Sequence, residues 1–286
     1  MIEKINVTED NHRLDQFLQK KLKITRNKVQ ALIKSNCVLV NNCNVKPAYK
    51  LQINDLIELT LPKDEKPKKE YSQKLEYLYE DNSIIVINKQ PGLLVHETDN
   101  CTEATLVDYL KKESISLYPL SSNRAGIVHR LDKMTQGLMV IAKQKKSYEF
   151  LVEQFKKRAV KKRYFAMVKG NLSNNKLEIN QPIDRDFKKR NKFVVAKTGK
   201  EAITKVTVLK RFNSKTLCDI ELLTGRTHQI RVHMNFIGHP ILGDSFYSRT
   251  SRNQGQLLQA YYLQFIHPES LKEISFCTQI SDRILS

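Results

Sequence analysis

The segment from Ala125 to Lys143 constrains the fold of this chain most strongly, because it places two apolar runs around a polar turn. It reads AGIVHRLDKMTQGLMVIAK. The runs Ile127-Val128 and Leu138 to Ala142 are short and partly β-branched, as in buried strands, and Gly137 precedes the second run. The pattern predicts two buried strands that present His129-Arg130-Leu131-Asp132-Lys133 in the turn between them.

Asp132 is the candidate reactive group of this turn. Its neighbours His129, Arg130 and Lys133 carry or can acquire positive charge, which favours the ionised form of a carboxylate at neutral pH. An ionised carboxylate is a usable nucleophile. A single aspartate in a turn more often caps the turn or pairs with a neighbouring lysine. Asp132 alone therefore does not identify a site.

The charge of the chain indicates a polyanionic partner. Its 286 residues include 49 Lys and Arg against 30 Asp and Glu, for a formal net charge of +19. Nucleic acid is the first candidate for such a partner. No apolar run approaches the roughly 20 residues that span a bilayer, and the N-terminus has no apolar signal core. These features predict a cytoplasmic protein that does not use a membrane.

Residues 1–62 predict a small domain with two basic helices followed by short strands. Apolar residues recur at helical spacing from Leu14 to Leu22, and Thr25 can cap the second helix. A charged helix face is often only solvated, but the order of elements favours RNA binding. The candidate RNA-binding residues on these helices are Lys20, Lys21, Arg26, Lys28 and Lys34.

Residues 63–74 are rich in lysine and poor in apolar residues, which predicts a linker between this domain and a second one over residues 75–286. In the second domain, Ile84 to Ile87 predicts a buried strand, and Lys89-Gln90-Pro91-Gly92 predicts a turn. Ser147 predicts the N-cap of a helix whose apolar stripe runs from Tyr148 to Phe155.

Tyr164 is a second candidate site residue. Lys161 to Val168 alternates as a strand, which places Tyr164 and Ala166 on one face and leaves space beside the tyrosine ring. A buried tyrosine is more often only a packed aromatic residue. Tyr164 follows a basic tripeptide, and this position favours a role in a site only when the neighbouring motifs are considered as well.

Arg231 is the third candidate, on a helix that begins near His228 and ends before Gly238. Ile230 and Met234 share the buried face of this helix, so Arg231 can point from another face into a site. A metal site formed by His228 and His233 is disfavoured, because residues five apart do not share a helix face and no glutamate accompanies them.

These segments together resemble the RluA family of RNA pseudouridine synthases, the RluD-like branch in particular. His129 to Asp132 resembles the signature that carries the catalytic aspartate, and Leu222 to Asp244 resembles a second long signature. Residues 12–62 resemble the α-L RNA-binding motif. Two positions depart from the family pattern: Gln90 follows a lysine that a proline usually follows, and Gln259 stands where histidine is more common.

The resemblance implies an α+β fold, with a small α-L RNA-binding domain before a catalytic domain whose mixed, mostly antiparallel sheet is flanked by helices. It also implies isomerisation of uridine to pseudouridine in large-subunit ribosomal RNA, and hence a part in ribosome biogenesis. Neither a metal nor another cofactor is needed for that reaction. The partner is RNA, and the protein is expected to be a monomer.

The resemblance further implies a role for each candidate residue. Asp132 would be the catalytic carboxylate, which either attacks the sugar or removes a sugar proton. Arg231 would pair with Asp132, and Tyr164 would stack on the base and help to remove the proton from C5. Arg130 and His129 would contact RNA, and Arg130 would fill the space that the flipped uridine leaves.

Three alternatives stand beside this interpretation. The enzyme could act on transfer RNA, because a motif does not encode the selection of RNA shape. The chain could be a non-catalytic RNA-binding factor in ribosome assembly, which the three candidate site residues argue against. It could also be a nucleoside hydrolase or a metal nuclease, but a nuclease normally needs several carboxylates around its metal.

Overall fold

The computed structural model divides the chain into two compact units, Met1–Lys69 with Thr98–Glu103 and Glu70–Glu97 with Ala104–Ser286. It describes residues 2–8, 12–60, 71, 74–97, 101–119, 123–189, 191–248 and 255–285. The predicted linker, residues 63–74, lies almost entirely outside the described residues. The exact boundaries at residues 62 and 75 therefore stay predictions.

The first unit packs two helices against a three-stranded sheet. Its elements are β1 (Ile2–Asn6), α1 (Leu14–Leu22), α2 (Arg26–Lys34), β2 (Val38–Val40) and β3 (Leu56–Thr60). All pairs in the sheet are antiparallel, in the order β1-β3-β2. Both helices form where the apolar spacing predicts them, and the Thr25 hydroxyl accepts a hydrogen bond from the Lys28 backbone N–H at 3.4 Å. β1 was not predicted, because its partner β3 lies about fifty residues later in the chain.

The second unit is built on a nine-stranded sheet. Its elements are β4 (Glu76–Glu80), β5 (Ile84–Lys89), α3 (Leu106–Lys112), β6 (Gln136–Ala142), α4 (Lys145–Lys156), β7 (Lys161–Lys169), β8 (Lys176–Asn180), β9 (Ile183–Arg185), β10 (Phe193–Val195), β11 (Ile203–Arg211), β12 (Lys215–Leu222), α5 (Gln229–Phe236), β13 (Leu258–Ile266), β14 (Glu273–Cys277) and α6 (Asp282–Leu285).

The sheet is mixed and mostly antiparallel. Its order is β4-β5-β6-β13-β7-β12-β11-β8, with β14 on the later part of β13, and β9 and β10 form a separate pair. Among the strand pairs that the structure describes, only the pairing of β6 with β13 is parallel. This arrangement confirms the α+β fold class that the family resemblance implied.

Both faces of the central strands are covered, which explains why β5 and β6 are apolar almost throughout. Ile85 and Ile87 belong to the core that includes residues of α3 and α5. Ile84 and Val86 point to the opposite core, which includes Leu151 of α4. The prediction that Ser147 caps α4 is wrong. The helix begins at Lys145 with Gln144 as N-cap, and Ser147 is buried in its first turn.

Gly137 is required where the single parallel pairing forms. Its φ of +125° is unfavourable for other residues, and a Cβ on it would lie 2.2 Å from the backbone oxygen of Ala260. Ala260 is the residue of β13 that pairs with Gly137. The glycine therefore allows β13 to enter the sheet beside β6. None of the described helices has the length and apolar character needed to cross a membrane.

Candidate active site

Asp132 lies in the turn that precedes β6. The backbone oxygen of Asp132 accepts a hydrogen bond from Thr135 N–H at 3.0 Å, which closes the turn. The first predicted strand is reduced to one bridge between Ile127 and Ile141, because the chain leaves the sheet after it. The Asp132 side chain is 19% exposed. It is therefore partly shielded, yet a substrate can reach it.

Lys89, at the end of β5, supports this turn from below. Its side chain is fully buried, and its Nζ donates hydrogen bonds to the backbone oxygens of Gln90, Leu93 and Lys133 at 2.9, 3.0 and 3.1 Å. Burial lowers the pKa of Lys89 to about 7, and the negative charge of Asp132 acts in the opposite direction. The sequence predicted only that Lys89 belongs to a turn. The structure shows that Lys89 also binds the backbone of Lys133, the residue that follows Asp132.

Arg231 joins two carboxylates that are distant in sequence. Its Nη1 donates to Asp132 Oδ2 at 2.8 Å, which is the predicted contact between these two residues. Its Nε and Nη2 donate to the two oxygens of Asp244 at 2.7 and 2.9 Å. Burial lowers the pKa of Arg231, but its hydrogen bonds with Asp244 and the charge of Asp132 outweigh burial and raise it. Arg231 is thus a permanent cation beside Asp132.

Asp244 is a site residue to which sequence reasoning gave no role. Its side chain is 1% exposed, and Oδ1 also accepts hydrogen bonds from the backbone N–H groups of Phe246 and Tyr247. A buried carboxylate needs such partners. The available signal was a lone acid after a glycine in the apolar segment from Gly238 onwards, which predicts burial but not the identity of its partner.

Tyr164 projects from β7 into the same pocket as Asp132. It is 7% exposed and packs in the core cluster with Ala166, as the alternation of β7 predicted. Burial, with a further contribution from the charge of Asp132, raises the pKa of Tyr164. The phenol is therefore neutral at physiological pH.

His228 is a further group that faces Asp132. It precedes α5 in the left-handed conformation, with φ 57°, which is uncommon for a residue other than glycine. Its Nε2 lies 3.8 Å from Asp132 Oδ2, and its Nδ1 lies 2.8 Å from the Tyr247 hydroxyl. His233 instead contacts the Thr204 hydroxyl and the Gln181 backbone oxygen. The two histidines therefore have separate surroundings.

The Tyr247 hydroxyl is placed to donate to Nδ1 of a neutral His228 ring. The Tyr247 oxygen accepts a hydrogen bond from the Phe193 backbone N–H at 3.0 Å, so its own hydrogen is available to His228 Nδ1. In that arrangement the proton of the neutral imidazole is on Nε2, which faces Asp132. Burial lowers the pKa of His228, so the neutral form is favoured.

Asp132, Tyr164, His228 and Arg231 line one pocket of about 500 Å³ in the second unit. Among the described residues that line this pocket, Asp132 is the one with a carboxylate side chain. The basic residues in the lining are Arg130, Lys156, Arg158, Lys162, Arg226 and Arg231. Such a pocket combines one carboxylate with a strongly positive rim, which suits a polyanionic substrate that brings an uncharged base to the carboxylate.

Arg130 and His129 have different surroundings, although they are adjacent in the chain. Arg130 is exposed, and its Nη1 lies 3.3 Å from Nε2 of His96. The His129 Nε2 accepts a hydrogen bond from Val140 N–H at 3.1 Å, and its ring stacks on Phe155 at 4.6 Å. Burial, with the charge of Lys162, lowers the pKa of His129 to about 3. Its contacts favour a supporting role for this ring and give no support to the predicted RNA contact.

The candidate RNA-binding residues of the first unit divide in a similar way. Lys20, Lys21, Lys28 and Lys34 are exposed. Arg26 donates to the buried carboxylate of Asp15 at 2.9 Å. Its guanidinium therefore helps to hold α2 against α1.

Comparisons with known proteins agree with this geometry. The family model described as RNA pseudouridylate synthase matches residues 83–236, and the S4 domain model matches residues 12–57. The chain is 38% identical over 278 residues to the uncharacterized RNA pseudouridine synthase YlyB of Bacillus subtilis (strain 168), which covers 94% of this chain and 90% of the relative.

Two further relatives extend the comparison. The chain is 39% identical over 250 residues to ribosomal large subunit pseudouridine synthase D of Blochmanniella floridana, with 85% of this chain and 78% of the relative covered. Among solved structures, human RNA pseudouridylate synthase domain containing 1 is similar with a TM-score of 0.60 and 25% identity, and the match covers 72% of this chain and 83% of that one.

The family match decides between the function classes left open by the sequence. It supports an isomerase over a nuclease, a nucleoside hydrolase or a non-catalytic assembly factor. The match to the S4 model assigns RNA binding to the first unit. The chain belongs to the RluA family of RNA pseudouridine synthases and carries an N-terminal S4 RNA-binding domain.

Proposed function

We propose that this enzyme converts specific uridines of large-subunit ribosomal RNA into pseudouridine and that Asp132 is its catalytic carboxylate. The observation that carries the role of Asp132 is its ion pair with Arg231, at 2.8 Å, within the pocket of the second unit. A guanidinium fixed beside a carboxylate orients it through a charge-assisted hydrogen bond. Either action on the sugar, attack or proton removal, requires the ionised form of the carboxylate.

The proposed reaction is an isomerisation, so its atoms balance without a second substrate. The bond between C1′ and N1 of uridine breaks, and a bond between C1′ and C5 of the retained uracil forms. The proton on C5 is then lost, and N1 gains a proton. The pocket has to retain the free base between these steps, and its volume of about 500 Å³ is large enough to enclose a nucleoside.

Tyr164 and Arg130 complete the proposed machinery. Tyr164 is buried in the pocket wall, where an aromatic ring can stack on the target base. Because burial raises the pKa of Tyr164, its neutral phenol would assist removal of the C5 proton through a hydrogen bond or a water, not as a phenolate. Arg130 is exposed at the pocket, a position that suits filling the space of a flipped uridine.

The ribosomal substrate is proposed from the relatives. One relative, 39% identical and covered over 78% of its length, carries the name ribosomal large subunit pseudouridine synthase D. The basic surface of the first unit and the net charge of +19 suit a large folded RNA. Transfer RNA is the alternative substrate, because its loops can offer the same unstacked uridines.

Mapping of pseudouridines at nucleotide resolution, in cells with and without the gene, tests both parts of this proposal. We expect a small set of positions in large-subunit ribosomal RNA to lose pseudouridine, and the wild-type gene to restore them. A gene that encodes Asp132→Asn should not restore them, because the amide keeps the shape of the side chain but not its charge. Loss only in transfer RNA would contradict the ribosomal substrate, and restoration by Asp132→Asn would contradict the role of Asp132.

A further inference from the structure

Lys162 is a pocket residue without an assigned role. It lies on β7 two residues before Tyr164, so both side chains are on the same face of the strand, about 7 Å apart along it. Both line the pocket that contains Asp132. The Lys162 Nζ lies 5.8 Å from the centre of the Phe155 ring. A Cβ built on Gly225 would lie 3.6 Å from the same Nζ atom. Because Gly225 has no side chain, space remains beside the ammonium group.

The ammonium of Lys162 lacks a compensating anion. Within the described part of the chain, no carboxylate lies within ion-pair distance of it. Burial lowers the pKa of Lys162, and no acid is close enough to offset that effect. The titratable group on which the charge of Lys162 acts is His129, which is neutral because burial lowers its pKa to about 3. A half-buried cation in such surroundings is stabilised when an anionic ligand arrives.

Other cations in the pocket lining are already engaged. Arg158 donates to the Glu201 carboxylate at 2.7 Å, and Arg226 donates to the Glu201 backbone oxygen at 2.8 Å. Arg231 is held between two carboxylates, and Lys156 lies 4.0 Å from Glu153. Arg130, the remaining basic residue of the lining, is exposed and lies 3.3 Å from His96. Lys162 thus differs from the cations beside carboxylates, and from the exposed Arg130, because it is partly buried with no carboxylate beside it in the described part of the chain.

We propose that Lys162 and the open space beside Gly225 form a subsite for one backbone phosphodiester of the RNA substrate, next to the target uridine. A lysine binds phosphate as a point charge, and an uncompensated one gains most from it. A nucleotide whose base reaches Tyr164 brings a phosphate of its own or of its neighbour close to Lys162, two residues along the same strand. This inference rests on the proposed function, because the target uridine must enter this pocket.

The test compares Lys162→Met with a matched control, Lys210→Met, in the full-length enzyme. Lys210 also lies over an aromatic ring, 5.3 Å from the centre of Phe212, but it is exposed and does not line the pocket. The RNA is total RNA purified from cells that lack the gene, so it contains the unmodified target whatever its identity. Pseudouridine formation is followed in single turnovers as a function of enzyme and potassium chloride concentration, and RNA retention on filters is measured in parallel.

We expect Lys162→Met to raise the half-saturating enzyme concentration about tenfold at low salt, which corresponds to one charge-assisted contact. The slope of log affinity against log salt should fall by about 0.7, the value for one phosphate of a single strand. The rate at saturation should fall less than the half-saturating concentration rises. Lys162→Arg should keep the wild-type slope, and Lys210→Met should change neither quantity.

Three results would overturn the subsite. These are an unchanged salt slope in Lys162→Met, an equal loss in Lys162→Arg, and a loss confined to the saturated rate. Thermal unfolding identifies a variant that fails to fold, and Lys162→Gln then replaces Lys162→Met in the same titrations. If the wild-type enzyme forms no pseudouridine in this RNA, the proposed function fails. The filter-retention slope still decides the phosphate contact in that case.

Discussion

Arg231 is bound by Asp244 through two hydrogen bonds, at 2.7 and 2.9 Å, while it reaches Asp132 with only one, at 2.8 Å. Asp244 is almost fully buried, whereas Asp132 is 19% exposed. The buried aspartate therefore fixes the guanidinium, and the third nitrogen is left to orient the carboxylate that faces the pocket. Asp244 acts through Arg231 and is in this sense a positioning residue.

Asp244→Asn should reduce the rate of isomerisation by about 10²-fold, because a small displacement of a reacting group has an effect of that size. The amide removes one negative charge and can accept only part of the guanidinium fork. Single-turnover rates measure the effect, and RNA affinity should change little. Asp219→Asn is the control, since Asp219 is also buried and pairs with Arg163 outside this pocket. Equal rates in the two variants would show that Asp244 does not position Arg231.

Arg231→Lys should lose nearly as much activity as Arg231→Ala. One ammonium group cannot reproduce a planar fork that contacts Asp244 with two nitrogens and Asp132 with a third. We expect both variants to lower the single-turnover rate by at least about 10²-fold. Near-normal activity of Arg231→Lys would mean that a positive charge suffices and that the fork is dispensable.

Tyr247→Phe should move the acid limb of the pH profile to higher pH. A Tyr247 hydroxyl that donates to His228 Nδ1 stabilises the neutral imidazole, so its removal should make His228 easier to protonate. The charged and titratable groups that act on His228 are Asp132, Arg231, Asp244, Arg130 and Tyr247.

In the wild-type enzyme, burial lowers the pKa of His228, so its neutral form is present at pH values above about 6.5 and is lost only at lower pH. Rates measured from about pH 5 to 8, a range that brackets the ordinary histidine pKa, would reveal the shift of the acid limb. Tyr261→Phe is the control, because its hydroxyl binds Asp219. An unchanged acid limb in Tyr247→Phe would separate His228 from the activity.

His129→Gln should weaken the dependence of stability on pH. The pKa of His129 is lowered to about 3 in the folded chain, whereas an unfolded histidine titrates near 6.5. The stabilisation by its neutral form is fully present above about pH 6.5 and is lost as the pH falls towards 3. Glutamine keeps an acceptor for the Val140 N–H but does not titrate. Between about pH 3 and 6.5, urea denaturation should give slopes of stability against pH that differ by about 1.4 kcal/mol per pH unit, and equal slopes would contradict the lowered pKa of His129.

Replacement of four exposed lysines of the S4 domain by glutamine should weaken RNA binding and reduce its salt dependence. The four are Lys20, Lys21, Lys28 and Lys34. The salt slope should fall by about 0.7 for each lysine that contacts a single-stranded phosphate. A control with the same change in charge replaces four exposed lysines of the second unit: Lys111, Lys112, Lys145 and Lys146. If both four-lysine variants weaken RNA binding equally, the basic helices contribute to RNA binding only through their net charge.

Local patterns in the sequence determined the elements whose signals lie within a few residues. Apolar spacing located α1, and the hydroxyl of Thr25 marked the start of α2. The unbroken apolar run of β5 and the alternation of β7 predicted their burial and the inward face of Tyr164. The motif around Asp132 and the resemblance to a family predicted the reaction before any geometry was known, because the residue types of a reactive turn are confined to one short segment.

Only the tertiary structure decided most of the relationships that join distant segments. The family resemblance had implied the contact of Arg231 with Asp132 across 99 residues, but no pattern in the sequence predicted that Lys89 binds the backbone of Lys133 across 44. The insertion of β13 between β6 and β7, which Gly137 permits, was equally invisible in local periodicity. Spacing within one element sets which face a side chain occupies, but the partner on that face depends on how separate elements pack. Asp244, the second carboxylate that Arg231 binds, could therefore be identified only once α5 and the segment that carries Asp244 were placed side by side.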